Sequence, residues 1–310
     1  MSERPFQRVG LIGWPVEHSL SPAMHNAAFQ ALGLEWQYTL LPTPPGEIAS
    51  TLDQLKAQGY RGANVTVPHK EAVMACLDEI EGVAQTIGAV NTVVVQEGRL
   101  LGYNTDAPGF LAALQAAGFE PKESRALVIG AGGAARAVVY ALVQAGSSIV
   151  LYNRTPQRAL ELARYAHEMG GPVAWIASLE AVEPELADFN LLVNATSVGM
   201  WPHSHNSPWP ETLSLPSHWT VFDLVYNPAE TRLLAQARAA GAAAIGGLEM
   251  LVQQGALAFE LWTGQSPPLD VMRAAARESL ARTPQAPMGP ASRPGTDAAT
   301  PWGRYLCYVF

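Results

Sequence analysis

Two residues of this chain are candidates for an acid–base pair, Lys70 and Asp106. Lys70 is one of three lysines in a chain of 310 residues that contains sixteen arginines. Burial or a neighbouring charge can make a lysine gain and lose its proton, whereas an arginine stays protonated. A nearby carboxylate would also fix the position of the ammonium group. Taken singly, each residue has a simpler explanation: a surface cation at the start of a helix and an acidic turn residue.

Polar side chains cluster in segments that follow predicted strands. These segments are His18–Pro22 (HSLSP), Asn64–Lys70 (NVTVPHK), Gly88–Thr92 (GAVNT) and Gly102–Asp106 (GYNTD). Folds of the α/β class bind their ligands at the carboxyl ends of strands. Ser21 alone could be only a helix cap, but the combination of segments with the glycine-rich loop described next favours a ligand site.

The segment Gly130–Ala135 (GAGGAA) follows an apolar strand and opens a helix. It fits the pattern G-x-G-x-x-A, in which glycines allow a tight turn and close backbone approach to a ligand. The helix N-terminus then offers N–H groups to a pyrophosphate. Because the strand before it and the helix after it are both present, the pattern predicts a dinucleotide site rather than a structural turn.

The residues after the next strand indicate which dinucleotide binds. NAD sites usually carry an acidic residue about 20 positions after the glycines, where it holds the ribose hydroxyls. Here the strand leads into Asn153-Arg154-Thr155, with Arg158 one turn later and no acid before Glu161. Arg154 can pair with a 2′-phosphate and stack on adenine. We therefore predict NADP(H), the alternative being that Arg154 is a solvated surface residue.

Strands and helices alternate along the chain, which predicts an α/β fold. In the first block, Arg8–Gly13 is a predicted strand, Ser21 caps a helix, and Lys70–Leu77 is a predicted helix. In the second block, a strand at Ala126–Ile129 precedes a helix at Ala134–Ala145. At roughly 150 residues per domain, the length predicts two domains.

Composition excludes several classes of protein. The net charge of −8 argues against a protein that lives on nucleic acid or anionic membrane. Cys76 and Cys307 form no metal-binding spacing and no disulfide framework, and no signal peptide is present at the first residues, so we expect a cytoplasmic protein. The longest nearly uncharged run, Ala126–Tyr152, is interrupted by glycines and is therefore not a membrane span. No pair of histidines near the site has a metal-ligand spacing, so no metal is expected.

The chain resembles the shikimate dehydrogenase family from about Val9 to Leu280. The resemblance lies in a series of motifs in one order, at residues 19–22, 64–70, 88–92, 102–106, 130–135, 153–155, 194–200, 223–228 and 247–254. It implies the reversible reduction of 3-dehydroshikimate to shikimate with NADPH, in the chorismate route to aromatic amino acids. It also implies that Lys70 donates a proton to the carbonyl oxygen, while Asp106 orients Lys70 and holds a substrate hydroxyl.

The resemblance also implies the binding residues. Ser19 and Ser21, with Tyr226, would hold the substrate carboxylate. The substrate hydroxyls would be bound by Thr66, Asn91 and Gln254. The cofactor would be bound by Gly130, Ala131, Gly132, Gly133, Ala134, Asn153, Arg154, Thr155, Arg158, Thr196, Leu224 and Gly247.

The domain organisation implied is two-lobed, with one lobe inserted into the other. Residues 1–106 and 248–282 would form the substrate domain, and residues 107–247 a Rossmann-type, doubly wound NADP domain. Residues 283–310, rich in proline and alanine, are predicted to be a flexible tail. We expect a monomer or homodimer that binds small molecules and neither nucleic acid nor membrane.

Three alternatives stay open at this point. The first is a quinate/shikimate dehydrogenase that uses NAD or both cofactors, since quinate differs from shikimate by little that a pocket rejects strongly. The second is an aminoshikimate dehydrogenase. The third is a non-catalytic paralogue that senses shikimate-type metabolites, which the presence of both Lys70 and Asp106 disfavours.

Overall fold

The computed structural model describes residues 6–282. The tail predicted at 283–310 lies outside the described residues. Two six-stranded sheets, one in each half of the chain, are flanked by helices. The predicted α/β, two-lobed class is therefore confirmed.

The first sheet is mixed and has the strand order β2-β1-β3-β5-β6-β4. Its strands are β1 Gln7–Gly13, β2 Trp36–Pro42, β3 Gly62–Val65, β4 Glu79–Ile80, β5 Thr92–Gln96 and β6 Arg99–Tyr103. Strand β1 pairs in parallel with β2 and β3, and β5 is antiparallel to both β3 and β6. The polar segments after β1 and β3 consequently emerge side by side at one edge of this sheet.

Within residues 6–282, five α-helices cover this sheet. They are α1 Ser21–Ala31, α2 Ile48–Ala57, α3 Gly82–Ile87, α8 Leu248–Thr263 and α9 Leu269–Arg282. The last two return from the end of the chain, and Phe259 and Trp262 of α8 pack in one core with Phe29 of α1. The longest helix in the described part, α8, has 16 residues, and no helix within residues 6–282 is long and apolar enough to cross a bilayer.

The predicted helix at Lys70–Leu77 is wrong in its first residues. Lys70 lies in a turn, and only Ala72–Cys76 is helical, as a short 3-10 helix. The carbonyl of Lys70 accepts a hydrogen bond from the N–H of Val90 at 2.8 Å. Because that carbonyl is used by a distant segment, it does not begin an α-helical ladder.

The second sheet is wholly parallel and has the order β12-β11-β10-β7-β8-β9. This is the doubly wound order of dinucleotide-binding domains. Its strands are β7 Arg125–Ile129, β8 Ser148–Tyr152, β9 Val173–Ile176, β10 Leu191–Asn194, β11 Thr220–Asp223 and β12 Ala243–Gly246. Its helices are α4 Asp106–Ala116, α5 Gly133–Gln144, α6 Pro156–Glu168, α7 Arg232–Ala239 and a 3-10 helix at Leu179–Asp188.

Helix α4 packs against both halves of the molecule. Phe110 on α4 meets Phe222 of β11 edge to face, with 5.1 Å between ring centroids. On another side of α4, a Cβ added at Gly109 would lie 2.8 Å from the Cβ of Gln254 on α8. The side chain of Asn104 accepts hydrogen bonds from the N–H groups of Asp106 and Ala107, which fixes the start of α4. Asp106 is thus held at a junction between the lobes.

Candidate functional site

Lys70 and Asp106 form an ion pair where the segments after β3 and β6 face the glycine-rich loop at Gly133; we call the region between them the cleft. The Nζ of Lys70 donates to Oδ2 of Asp106 at 2.6 Å, and the two side chains are 14% and 5% exposed. A charge-assisted hydrogen bond of this length holds the ammonium group in one place. The two predicted acid–base partners are therefore close enough to exchange or share a proton.

Asn91, just before β5, holds the other oxygen of the same carboxylate. Its Nδ2 donates to Oδ1 of Asp106 and to Oγ1 of Thr105, both at 2.9 Å, and lies 3.3 Å from Oε1 of Gln254. Its Oδ1 accepts from the backbone N–H of Thr105 at 2.7 Å. Asn91 and Gln254, both predicted to bind substrate, thus lie beside Asp106, although 163 positions separate them in the chain.

Ser19, Ser21 and Tyr226 form a second polar group. Tyr226 hydrogen-bonds Ser19, and burial raises the pKa of its phenol despite that bond. The N–H of Ser21 donates to Oγ of Ser19 at 3.2 Å. Helix α1 is preceded by Leu20 and starts at Ser21, so the Ser21 hydroxyl does not act as the predicted cap. The three hydroxyl groups therefore lie close together at the start of α1.

Tyr38 of β2 belongs to this site and was not predicted. Its hydroxyl donates to Oδ1 of Asn64 at 2.8 Å, and Nδ2 of Asn64 donates to Oγ1 of Thr92 at 3.1 Å. Burial raises the pKa of Tyr38, and a hydrogen bond with Ser21 partly opposes this. Tyr38 thereby joins the serine group to the network around Asp106. Its sequence context, an aromatic residue in a strand, carries no signal of this role.

Thr66 follows β3 and lies half-buried, four positions before Lys70. Its methyl group occupies the space that a Cβ at Gly13 would need. Thr66 therefore packs against the end of β1, next to the segment that carries Lys70.

The glycine-rich loop runs from β7 to α5. Gly130 has a φ of +121°, and a Cβ there would lie 3.0 Å from the carbonyl oxygen of Ala195 and 3.1 Å from the methyl group of Thr196. A Cβ at Gly132 would meet nothing within 4 Å, so the space above that residue is open. Helix α5 begins at Gly133, and its first N–H groups point out of the helix end. Ala131 and Ala134 complete this cradle, which fits a pyrophosphate.

The predicted nucleotide end lies at the carboxyl end of β8, beside this loop. Asn153 is buried and donates to the carbonyl of Thr155 at 2.9 Å, which fixes the turn. Arg154 and Thr155 are exposed, and Arg158 is half-buried in the first turn of α6. No acidic side chain occurs between Asn153 and Arg158. This basic edge fits a 2′-phosphate and leaves the 2′-hydroxyl of NAD without an acidic partner.

A buried carboxylate, that of Asp223, lies on the other side of the glycine-rich loop. Asp223 accepts hydrogen bonds from Thr231 at 2.6 Å and from Asn194 at 2.8 Å. Burial raises the pKa of Asp223 to about 6, although these bonds and one from the N–H of Val225 oppose the rise. Asn194 in turn accepts from the N–H and hydroxyl of Thr196 at 3.1 and 2.7 Å. Thr196 is thus held against the glycine-rich loop.

Leu224 and Gly247 come together next to Asp223. A Cβ at Gly247 would collide with the carbonyl oxygen of Leu224. The close approach explains why a glycine is needed just before α8. Within residues 6–282, no group of three His, Cys, Asp or Glu side chains could hold a metal ion.

Family models match three stretches of the chain. The shikimate dehydrogenase substrate-binding domain matches residues 11–93. A model described as shikimate/quinate 5-dehydrogenase matches residues 112–201, and the shikimate 5′-dehydrogenase C-terminal domain matches residues 247–277. The matched stretches include Lys70, the glycine-rich loop and Gln254.

Known proteins resemble the chain over most of its length. A shikimate dehydrogenase (NADP⁺) of Moorella thermoacetica is 51% identical over 275 residues, which cover 88% of this chain and 93% of that protein. The crystal structure of a Thermus thermophilus shikimate 5-dehydrogenase with NADP(H) and shikimate is 47% identical, with a TM-score of 0.80, and covers 88% of this chain and 100% of that one. A Corynebacterium glutamicum quinate dehydrogenase with NAD is 33% identical, also with a TM-score of 0.80, over 88% of this chain and 99% of that one.

The identities and the coverage agree with the geometry of the site. The Lys70–Asp106 ion pair lies at the end of one sheet, and the glycine-rich loop lies at the end of the other. This chain belongs to the shikimate dehydrogenase family.

Proposed function

We propose that this protein catalyses the reversible reduction of 3-dehydroshikimate to shikimate with NADPH, in the biosynthesis of chorismate and aromatic amino acids. The observation that carries the proposal is the Lys70–Asp106 pair, 2.6 Å apart and directly beside the glycine-rich loop. The substrate carbonyl, a proton donor and a dinucleotide must meet in one place for this reaction. The ion pair and the glycine-rich loop lie next to each other in the cleft, which supports the proposal.

Lys70 acts as the proton donor in the direction of reduction. The bound cofactor supplies the hydride, and negative charge then develops on the carbonyl oxygen. A positioned ammonium group stabilises this charge and transfers its proton to the oxygen. In the reverse direction the amine of Lys70 accepts the proton of the shikimate hydroxyl. Asp106 keeps Lys70 in place through its Oδ2 and offers the same carboxylate to a neighbouring substrate hydroxyl.

The two polar groups of the substrate lobe bind opposite ends of the substrate. Ser19, Ser21 and Tyr226 donate hydrogen bonds to the carboxylate, and the raised pKa of Tyr226 keeps its phenol protonated for that purpose. Thr66, Asn91 and Gln254 bind the ring hydroxyls on the side of Asp106. Because the bonds among Asn91, Asp106 and Gln254 are already formed, binding costs little reorganisation.

NADP(H) spans the carboxyl edge of the second sheet. The loop Gly130–Ala134 holds the pyrophosphate on the N-terminus of α5. Asn153, Arg154, Thr155 and Arg158 surround the 2′-phosphate, and Thr196, Leu224 and Gly247 flank the nicotinamide side. These assignments rest on the position of each residue around the cleft and on the fit described above.

Residues 1–106 with 248–282 act as the substrate domain, and residues 107–247 as the NADP domain. Contact across the mouth of the cleft supports closure of the two around their ligands: the rings of His18 and Trp201 meet edge to face, 4.3 Å apart. We further propose a cytoplasmic monomer or homodimer whose partners are small molecules, in keeping with the net charge of −8.

Quinate oxidation with NAD is the second candidate function. It is favoured by the fold shared with the quinate dehydrogenase and by a family model whose description includes quinate. The residues at the end of β8 argue against it, because they include Arg154 and no acid for the 2′-hydroxyl.

A two-by-two measurement of rates tests the proposal. Purified protein is assayed with shikimate or quinate and with NADP⁺ or NAD⁺. We expect the highest kcat/KM for shikimate with NADP⁺. A higher kcat/KM for quinate with NAD⁺ would overturn the assignment in favour of the second candidate, and no oxidation of either substrate would support the non-catalytic paralogue.

A further inference from the structure

The first turn of α5 touches the substrate lobe as well as the cofactor cleft. A Cβ added at Gly133 would lie 2.8 Å from the Cβ of Lys70, 3.3 Å from its Cδ and 3.6 Å from the Cβ of Ala89. The dinucleotide pattern requires glycine at 130 and 132 but allows other residues at 133. The absence of a side chain at Gly133 is therefore explained by Lys70, which packs directly on the helix start.

Arg136 makes a second contact one turn further along α5. Its Nε lies 3.4 Å from Oε2 of Glu71, the neighbour of Lys70, and its guanidinium lies 5.6 Å over the ring of Tyr165 on α6. A Cβ at Gly88 would be 3.1 Å from its Nη1. The Arg136 side chain is 21% exposed. Arg136 thus starts in the cofactor lobe and reaches Glu71 and Gly88 of the substrate lobe.

The segment that Arg136 reaches is joined to both members of the acid–base pair. The hydroxyl of Tyr165 donates to the carbonyls of Gln85 and Thr86 at the end of α3. Four residues later, the N–H of Val90 donates to the carbonyl of Lys70 at 2.8 Å. Asn91 follows and holds Asp106. The contacts of α5 and α6 therefore support the turn that carries Lys70 and the strand that positions Asp106.

The charged groups around Lys70 also support a role for Arg136 in holding Lys70 in place. Glu71 is adjacent to Lys70 in the chain and could compete with Asp106 for its ammonium group. Arg136 forms an ion pair with Glu71 instead, and its guanidinium carbon lies 5.6 Å from the centre of the Tyr165 ring, where cation–π attraction adds to the pairing. Lys70 is then left to Asp106.

We infer that Arg136 is a positioning residue for the reaction: through Glu71 and together with the close contact at Gly133, it fixes Lys70 relative to the cofactor loop. The inference rests on the proposed function for its kinetic consequence, but the contacts themselves do not depend on the identity of the substrate. Arg136 touches neither the reacting atoms nor, in this geometry, the open side of the loop where the pyrophosphate binds.

The kinetic test uses Arg136→Met, which keeps much of the length of the side chain and removes its charge. Arg238→Met is the matched control, because Arg238 forms a surface ion pair with Glu230 in the same lobe. We expect kcat with shikimate and NADP⁺ to fall about ten- to a hundredfold in Arg136→Met, as misplacement of a reacting group by about 1 Å does. The Kd for NADP⁺ and the KM for shikimate should stay within about twofold.

Three further variants test whether Arg136 acts on kcat through its charge and through Glu71. Glu71→Gln should lower kcat by a similar factor, and the double variant should lose no more than the larger single loss, since the two residues act as one pair. Arg136→Lys should recover part of the loss because it keeps the charge. Loss of NADP⁺ affinity by the same factor as kcat would instead make Arg136 a cofactor ligand and overturn the inference.

A measurement without substrate separates this inference from the proposed function. The chain has only three lysines, so acetylation by acetic anhydride, followed by mass spectrometry, reports on Lys70 with Lys56 and Lys122 as internal references. We expect Lys70 to be acetylated several-fold faster in Arg136→Met than in wild type or Arg238→Met, with both references unchanged. Equal rates in all three proteins would overturn the inference, even if the wild type oxidises shikimate. Faster labelling of Lys70 in Arg136→Met would support the inference, even if the wild type does not oxidise shikimate.

Discussion

The two sides of the cleft hold their polar groups in different ways. In the substrate lobe, Lys70 and Asn91 each donate a hydrogen bond to Asp106, and all three side chains are largely shielded from solvent. In the cofactor lobe, Arg154 and Thr155 are exposed, and the loop offers backbone N–H groups and open space above Gly132. The polar groups of the first side are bonded within the protein and shielded, whereas those of the second side are exposed and lie beside open space.

The difference follows from what each side must do. Proton transfer requires a fixed distance and orientation, and these are obtained by mutual hydrogen bonds within the protein. Recognition of a dianionic phosphate requires charge and accessible donors, which an exposed arginine and a helix N-terminus supply. Variants on the first side should therefore disturb the chemistry and the fold, whereas variants on the second should change affinity.

Lys70→Ala should have the largest effect. Removal of a general acid lowers kcat by about 10²- to 10⁴-fold, while the Kd for NADP⁺ should change little because Lys70 lies on the substrate side. Steady-state rates and a fluorescence titration with NADPH give the two numbers. Lys122→Ala, an exposed lysine of the other lobe, is the control. Near-normal turnover of Lys70→Ala would remove Lys70 from the mechanism.

Asn91→Ala should destabilise the protein as well as slow it. It leaves a buried oxygen of Asp106 and the N–H of Thr105 without their partner, and each buried unsatisfied group costs about 1–3 kcal/mol. Asn153→Ala is the comparison in the cofactor lobe, where water can replace the one bond to the exposed Thr155. Urea unfolding measures both losses in free energy. Equal losses would contradict the contrast between the two sides.

Arg154→Ala should change cofactor choice with little effect on the fold. Hydrogen bonds to charged groups contribute about 1.5–3 kcal/mol, so affinity for NADP⁺ should fall about ten- to a hundredfold. Affinity for NAD⁺, which lacks the 2′-phosphate, should fall far less. Arg164→Ala, an exposed arginine on the adjoining helix α6, serves as control. An equal loss for NAD⁺ and NADP⁺ would exclude Arg154 from the 2′-phosphate site.

His25 provides the smallest test, through pH. It is fully buried and stacked on Tyr38 at 4.5 Å, and burial lowers its pKa from 6.5 to about 3. Between those values the unfolded chain binds a proton that the native protein does not, so the free energy of unfolding falls as pH drops, by at most about 1.4 kcal/mol per pH unit. His25→Phe should lose this component, which urea unfolding at several pH values would reveal.

The corresponding group of the cofactor lobe works in the opposite sense. The pKa of Asp223 is raised from 3.8 to about 6, so the native protein takes up its proton first as pH falls. Its contribution to the free energy of unfolding therefore increases as the pH falls from about 6 to about 4.

The His25 prediction would be contradicted if the free energy of unfolding had the same pH dependence in His25→Phe as in the wild type. In that case His25 would have to be protonated in the native protein.

The sequence predicted the parts of the site that have a local signature. Lys70 and Asp106 lie in polar segments after strands, and Gly130–Ala135 carries a pattern whose spacing is set by the ligand. Family resemblance added residues such as Gln254, whose contact with Asn91 no local pattern predicts. The parallel sheet and its helices also followed from alternation of apolar segments.

The residues that were missed depend on contacts between distant parts of the chain. Tyr38 alternates with its neighbours like any strand aromatic, and only the pairing of β1 with β2 and β3 brings it to Asn64. In the sequence, nothing distinguishes Arg136 from a solvent-exposed residue of a helix. Only the folded chain brings its side chain next to Glu71. The turn at Lys70 was predicted as helix because its bond to Val90 is not visible locally. The two-residue strand β4 is too short for a pattern to form.

Helix α4 has a consequence for attempts to exchange halves between relatives. Its first residue is Asp106, and its body packs on Phe222 of the second sheet through Phe110 and against Gln254 through Gly109. A chimera joined at residues 106 and 107 would take the body of the helix from one parent and the carboxylate of Asp106 from the other. A functional hybrid must therefore take the whole of α4 from one parent. It also needs surfaces on β11 and α8 that fit this helix.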